Sequence, residues 1–274
     1  MSRPPRILVF DSGLGGLTVY DEIVRAQPGA HYLYVADDAA FPYGRIYGAQ
    51  LLARVEQVVD WLIARYEADV VVIACNTAST LVLPHLRARF PDKPFVGTVP
   101  AVKPAAAASR SGLISVLATP GTVERDYTRT LVHEYASRCR VALVGSSTLA
   151  PLAEAFVRGE RIRDEDVAAE IAPCFVEENG ERTDQIVLAC THYPLLRTQF
   201  ERLAPWPVGW IDPAPAIARR VVALLEERGL GKDHEPAAGE VVFTSGRPIE
   251  GALADVLRGR RLFERRADAL PYQE

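Results

Sequence analysis

Short unbroken apolar runs recur along the chain, each followed by a longer stretch in which apolar residues return every three or four positions. The runs are RILVF (6–10), YLYVA (32–36), VVVIA (70–74), LISVLA (113–118), RVALVG (140–145) and QIVLA (185–189). Continuous rather than alternating apolar character is expected of strands covered on both faces, as in a parallel sheet. The clearest helix carries Leu51, Leu52, Val55, Val58, Val59, Leu62, Ile63 and Tyr66 along one side. Repeated strand–helix alternation predicts an α/β fold with parallel sheets.

A weak internal duplication refines this. One strand ends at Asp11 and a counterpart ends at Thr119; a later strand in each half runs into a cysteine, Cys75 and Cys190, after 64 and 71 residues respectively. The pattern predicts two similar parallel-sheet α/β domains that face each other, with a site in the cleft between them. The stretches VGTVPAVKP and APWPVGWIDP serve as crossovers. The expected division is residues 1–99 plus 210–274 for the first domain and 100–209 for the second. The segment 229–239 reads as a polar surface loop, and the charged tail from Arg258 onward as a solvated edge.

Composition sets bounds on this picture. The 274 residues are 49% hydrophobic, enough for a full core. The 31 basic and 35 acidic residues leave a net charge of −4, which does not suggest a nucleic-acid partner or an anionic-membrane binder. No segment reads as a signal peptide or a membrane span, so a cytoplasmic location is expected. There Cys75, Cys139, Cys174 and Cys190 stay reduced. They lie far apart without CxxC spacing, so neither a zinc site nor a disulfide framework is expected.

Ligands of open α/β sheets bind beyond the carboxyl ends of the strands. Asp11-Ser12-Gly13, Cys75-Asn76-Thr77, Thr119 to Thr122 and Cys190-Thr191-His192 all follow strands. Cysteine is often only a small buried hydrophobe, and that reading suffices for Cys139 and Cys174. Cys75 and Cys190 differ, because each ends an apolar strand and precedes polar residues and a helical pattern. Helix-terminal amides there are expected to lower a thiol pKa toward neutrality. Two such thiols on opposite sides of one ligand suit inversion of a carbon that carries a proton. One thiolate removes the proton, and the other thiol delivers a new one to the opposite face.

The remaining motifs each have an ordinary reading beside the functional one. DSGLGGL is either a plain tight turn or a Gly-rich turn whose N–H groups hold a carboxylate. FPYGR (41–45) alone is an unremarked loop. Asn76, Thr77 and Thr191 read as helix caps, a role that would still let them donate to a substrate. Asp11 and His192, beside the two strand ends, are the expected helpers of the thiols. Pyridoxal chemistry needs a Schiff-base lysine. Lys93, Lys103 and Lys232 do not end a strand beside a site motif, so a pyridoxal enzyme is not expected.

DSGLGGL, FPYG, ACNTAS, VPAVKPA, VLATPGT and ACTHYPLL together resemble, in order and separation, the motifs of glutamate racemases over roughly residues 6 to 212. The resemblance implies interconversion of L- and D-glutamate, with D-glutamate supplied for peptidoglycan. Cys75 and Cys190 would be the two proton carriers, with Asp11 near Cys75 and His192 near Cys190. Glu154 would be a third polar helper. Asp11, Ser12, Tyr43, Gly44, Asn76, Thr77, Thr191 and His192 would bind substrate, with Thr119 and Thr122 on a nearby loop. The family implies neither cofactor nor metal, and a homodimer. Some members carry an N-terminal extension linked to activation by a cell-wall precursor; that mode is not expected of this chain. An aspartate or broad-specificity racemase, a one-thiol decarboxylase or isomerase, and a non-catalytic binding protein are the competing readings.

Overall fold

The computed structural model describes residues 3–46, 48–230 and 234–265. Lys232, and residues 266–274 of the expected first domain and charged tail, lie outside the described residues. In chain order the strands are β1 (Arg6–Asp11), β2 (His31–Ala36), β3 (Val70–Ile73), β4 (Phe95–Gly97), β5 (Leu113–Ala118), β6 (Arg140–Gly145), β7 (Glu177–Glu178), β8 (Glu181–Arg182), β9 (Gln185–Ala189), β10 (Gly209–Ile211), β11 (Gly239–Phe243) and β12 (Leu262–Glu264). The helices are α1 (Leu17–Ala26), α2 (Gly48–Arg65), α3 (Asn76–Arg89), α4 (Val102–Ala108), α5 (Pro120–Val123), α6 (Asp126–Tyr135), α7 (Leu149–Val157), α8 (Asp164–Ile171), α9 (Arg197–Leu203), α10 (Ala214–Glu227) and α11 (Gly251–Gly259).

Two parallel sheets organise these elements, one in each domain. The first has the order β12-β11-β2-β1-β3-β4 and the second β10-β9-β5-β6. In the first, Val9 pairs with Tyr34 on one side and Val72 on the other. Side chains alternate across a strand. Ile7 and Val9 therefore pack toward α1 and α10, while Leu8 and Phe10 pack toward α2 and α3. This double coverage explains the unbroken apolar runs. Leu51, Val55, Val58, Val59 and Leu62 supply the buried face of α2, joined by Trp61, which the stripe read from sequence omits.

From β1 the chain moves to β2 on one side and then to β3 on the other. From β5 it moves to β6 on one side and then to β9 on the other. Each sheet thus has a switch point, where a crevice opens beyond the strand ends. Asp11 ends β1 and Cys75 follows β3 at one; Thr119 and Cys190 follow β5 and β9 at the other.

Three features depart from the sequence expectations. The crossover stretches contain the three-residue strands β4 and β10. Strand β10 straddles the expected 209/210 boundary and pairs with β9 in the second sheet, Trp210 opposite Ile186. The run RVALVG is a sheet edge, not a strand covered on both faces, and Leu143 is 37% exposed. The charged tail is not all solvated edge, because Leu262–Glu264 pairs with β11 and Leu262 is buried.

Candidate active site

Asp11, Ser12, Cys75, Asn76, Thr77, Thr119, Thr122, Glu154, Cys190, Thr191 and His192 are all buried where the strand ends of the two sheets meet. Cys75 and Cys190 line one narrow cleft, together with Ser12, Thr77, Thr119 and His192. Tyr43 and Gly44 line it as well. The Tyr43 hydroxyl, however, donates to the fully buried Asp37. What Tyr43 and Gly44 present to the cleft is therefore backbone and ring, not the phenol. A methyl group built on Gly44 would sit 3.1 Å from Thr119 Cβ, so glycine permits this loop's approach to the second domain.

Two seams join the domains around the cleft. On the Cys190 side, Thr191 Oγ1 donates to Asp11 Oδ1 at 3.1 Å, and the Leu14 N–H donates to Glu154 Oε1. The Gly-rich turn does hold a carboxylate, but that of Glu154 from the other domain. A Cβ on Gly15 would fall 2.5 Å from His192 Nδ1 and 2.6 Å from Thr191 Oγ1, which explains the absence of a side chain there. On the Cys75 side, three hydroxyls form a triangle. Thr77 Oγ1 lies 3.0 Å from Thr119 Oγ1 and 3.5 Å from Thr122 Oγ1, and the latter two are 3.1 Å apart.

The electrostatics are set by burial. Cys75 caps α3, and the Ala78 N–H and the Ser12 hydroxyl favour its thiolate. Burial nevertheless outweighs them, and with the Asp11 charge it pushes the thiol up to about 12. The expected lowering by helix amides is thus overturned at Cys75, because desolvation of the anion exceeds the dipole's help. After Cys190 the chain enters a 3₁₀ turn, Tyr193–Leu196, with Pro194 in its first positions, and α9 starts only at Arg197. The partner of the Cys190 sulfur is His192 Nδ1, 3.9 Å away.

Burial alone would pull His192 down. Its hydrogen bonds with Cys190 and with Glu154, 2.9 Å from Nε2, overrule burial and hold the imidazole well above its ordinary value. Burial opposes ionisation of Glu154 too, but the His192 contact and the Leu14 N–H bring it below the usual carboxylate range. Nε2 therefore donates to Glu154, and the Gly15 N–H at 3.2 Å is a close neighbour and not a donor to it. The Phe41 ring covers the imidazole, centroids 5.3 Å apart. Burial raises Asp11, with His192 and the Gly13 N–H acting against it. Asn76 Nδ2 is buried and has no hydrogen-bond partner among the described residues.

Some participants escaped the sequence reading. Ser146 and Ser147 line the cleft just past the end of β6. The strand-end rule that found the other motifs applies to them, and Ser146 Oγ also accepts the Leu149 N–H at 3.0 Å where α7 begins. Asp37, just past the end of β2, accepts from Arg54, Tyr43 and Thr244, tying the Tyr43 loop to α2 and β11. Cys174 is a core residue of the second domain, and Cys139 packs partly buried at its edge. Among the described residues no three His, Cys, Asp or Glu side chains gather as metal ligands would. Lys93 and Lys103 lie along a different groove, between the interdomain crossovers.

The family model for Asp/Glu/hydantoin racemases matches residues 7–221. A glutamate racemase of Sinorhizobium fredii is 57% identical over 244 residues, covering 88% of this chain and 90% of its own. One from Brucella anthropi is 56% identical, covering 92% of this chain and 91% of its own. The structure of Escherichia coli glutamate racemase in complex with L-glutamate and the activator UDP-MurNAc-Ala superposes with a TM-score of 0.86 at 39% identity, covering 95% of this chain and 97% of that one. With that span and identity, the chain belongs to the Asp/Glu/hydantoin racemase family.

Proposed function

We propose that the protein interconverts L- and D-glutamate through Cys75 and Cys190, without a cofactor. The observation that carries this reading is the pair of thiols lining one cleft from the equivalent strand ends of two facing domains. One cysteine starts as thiolate. Its sulfur takes the α-proton, forming S–H as Cα–H breaks, and the electron pair passes into the α-carboxylate. The thiol on the other face then gives its proton to Cα and is left as thiolate. The two free forms of the enzyme differ only in which sulfur is ionised.

The Asn76 amide, Ser12, Thr77 and Thr191 supply donors for the α-carboxylate, and the Asp11 carboxylate attracts the substrate ammonium. The Tyr43-Gly44 backbone, with Thr119 and Thr122, borders the side-chain end. Glu154 keeps His192 protonated beside Cys190. The glutamate racemases among the relatives support glutamate over aspartate, and a role in supplying D-glutamate for peptidoglycan follows from that substrate. The reading carries with it a homodimer and a cytoplasmic location; among the described residues no helix is long and apolar enough to cross a membrane. The expected division into residues 1–99 plus 210–274 and 100–209 stays part of this proposal, with its boundary moved past β10.

Loss of optical rotation from L-glutamate and from L-aspartate, followed without added cofactor, tests the reading. Rapid racemisation of glutamate alone is expected, with both Cys75→Ala and Cys190→Ala inactive. Full activity in either variant would falsify the two-thiol scheme.

A further inference from the structure

The two thiols have unequal surroundings. Cys190 has the His192 imidazolium 3.9 Å from its sulfur. The helper on the Cys75 side, Asp11, is a carboxylate, and its charge opposes the thiolate. A buried thiolate without a nearby cation is costly.

A cation from the opposite domain is fixed against the helix that Cys75 caps. Arg125 lies in the link between α5 and α6 and is half-buried. Its Nε donates to the Gly121 carbonyl at 3.0 Å, within the loop that carries Thr119 and Thr122. Its terminal nitrogen donates to the Thr77 carbonyl at 3.4 Å, in the first turn of the helix that Cys75 caps. The guanidinium is thereby fixed across the seam, on the carbonyl of the second residue after Cys75. The charged or titratable groups around Cys75 are Asp11 at the end of β1 and Cys190 after β9, which act on the thiol, and Tyr43, in the loop between β2 and α2, and Arg125, which feel its charge. Arg125 is the cation in that set. Arg45 also lines the cleft but is exposed.

We propose that Arg125 is a positioning residue that favours the thiolate form of Cys75 from across the cleft, the counterpart of the His192 imidazolium that faces Cys190 at close range. This rests on the two-thiol reading. Burial draws the guanidinium below the usual arginine value and the field of Cys75 draws it back up, as a cation facing a partial anion requires. Arg125 thus sets how the free enzyme divides between its two ionised forms, and so how tightly each enantiomer is captured.

The test is the kinetics of Arg125→Gln and Arg125→Lys on both enantiomers. The equilibrium constant of a racemisation is unity by symmetry, so kcat/KM stays equal in the two directions for every variant. The individual constants are free to diverge. In Arg125→Gln, KM for the enantiomer deprotonated by Cys75 should rise relative to KM for the other by roughly tenfold, the equivalent of one pKa unit. The kcat ratio should move with it. That enantiomer is identified independently, as the one whose α-proton Cys75→Ser no longer exchanges in deuterated water. Arg125→Lys, which keeps the charge, should leave the ratio near its original value, and Arg125→Met gives the same readout should the Gln variant be unstable. An equal rise in both KM values would reduce Arg125 to a latch on Thr77 and overturn the proposal, as would no change. Racemisation by the unchanged chain, measured alongside, reports on the two-thiol reading separately.

Discussion

Burial pushes the Cys75 thiol up to about 12 against the pull of the Ala78 N–H and the Ser12 hydroxyl. Below that value the thiolate fraction grows about tenfold for each pH unit. Alkylation of Cys75, followed by peptide mapping, should therefore climb steadily between about pH 7 and pH 10; a plateau in that range would contradict the assignment. His192 and Glu154 form a buried charged pair with side chains 2% and 10% exposed. Its pH window follows from the two shifts. The His192 contribution is fully present below the unfolded value of about 6.5 and is lost as pH rises through the raised folded value. The Glu154 contribution is present above about 4.3 and is lost as pH falls through the lowered folded value. His192→Ala takes from the Glu154 carboxylate its closest charged partner, leaving the Leu14 N–H and, at 3.5 Å, the Arg158 guanidinium. Urea unfolding at neutral pH should show a loss of about 3 kcal/mol, shrinking in acid as Glu154 takes up a proton. A loss under about 1 kcal/mol would mean that the pair is not buried as described.

The site stands on strand ends, and strand ends were the most legible part of the sequence. β1, β2, β3, β5 and β9 are unbroken apolar runs because helices cover both faces, and their ends carry Asp11, Cys75, Thr119 and Cys190. The short strands β4, β10 and β12 were not legible, since three residues are too few to establish a period. Edge position left no mark on RVALVG either, because coverage is a tertiary property. Asp37 and Ser146 follow strands as the recognised motifs do and could have been found the same way. Glu154 sits on a helix and entered through resemblance alone; Arg125 acts through its placement across the seam, which no local pattern records. The Asp37 cluster makes a test at this scale. Its carboxylate is 0% exposed and takes hydrogen bonds from α2, β11 and the Tyr43 loop. Arg54→Met leaves it buried beside two hydroxyls. Thermal and urea unfolding should show a loss of about 3 kcal/mol, with a raised KM for glutamate because the Tyr43-Gly44 loop loses its anchor. An unchanged KM would separate the loop from the substrate.

At the scale of the whole molecule, the duplicated half-chains become two sheets whose switch points face each other, so that each contributes one thiol and one set of donors. Facing sheets explain why a reaction needing access to both sides of one carbon sits here and not in either domain alone. They also explain why the seams use side chains from both halves, Asp11 with Thr191 on one side and Thr77 with Thr119 on the other. The most direct test of the arrangement is α-proton exchange. The protein, free of added cofactor, is incubated with L-glutamate in deuterated water, and both enantiomers are separated and weighed by mass spectrometry. Because the thiol that protonates Cα draws its hydrogen from solvent, the D-glutamate formed at early times should carry one α-deuterium. D-Glutamate that retains the original α-hydrogen, or no exchange from either enantiomer, would contradict a thiol on each face.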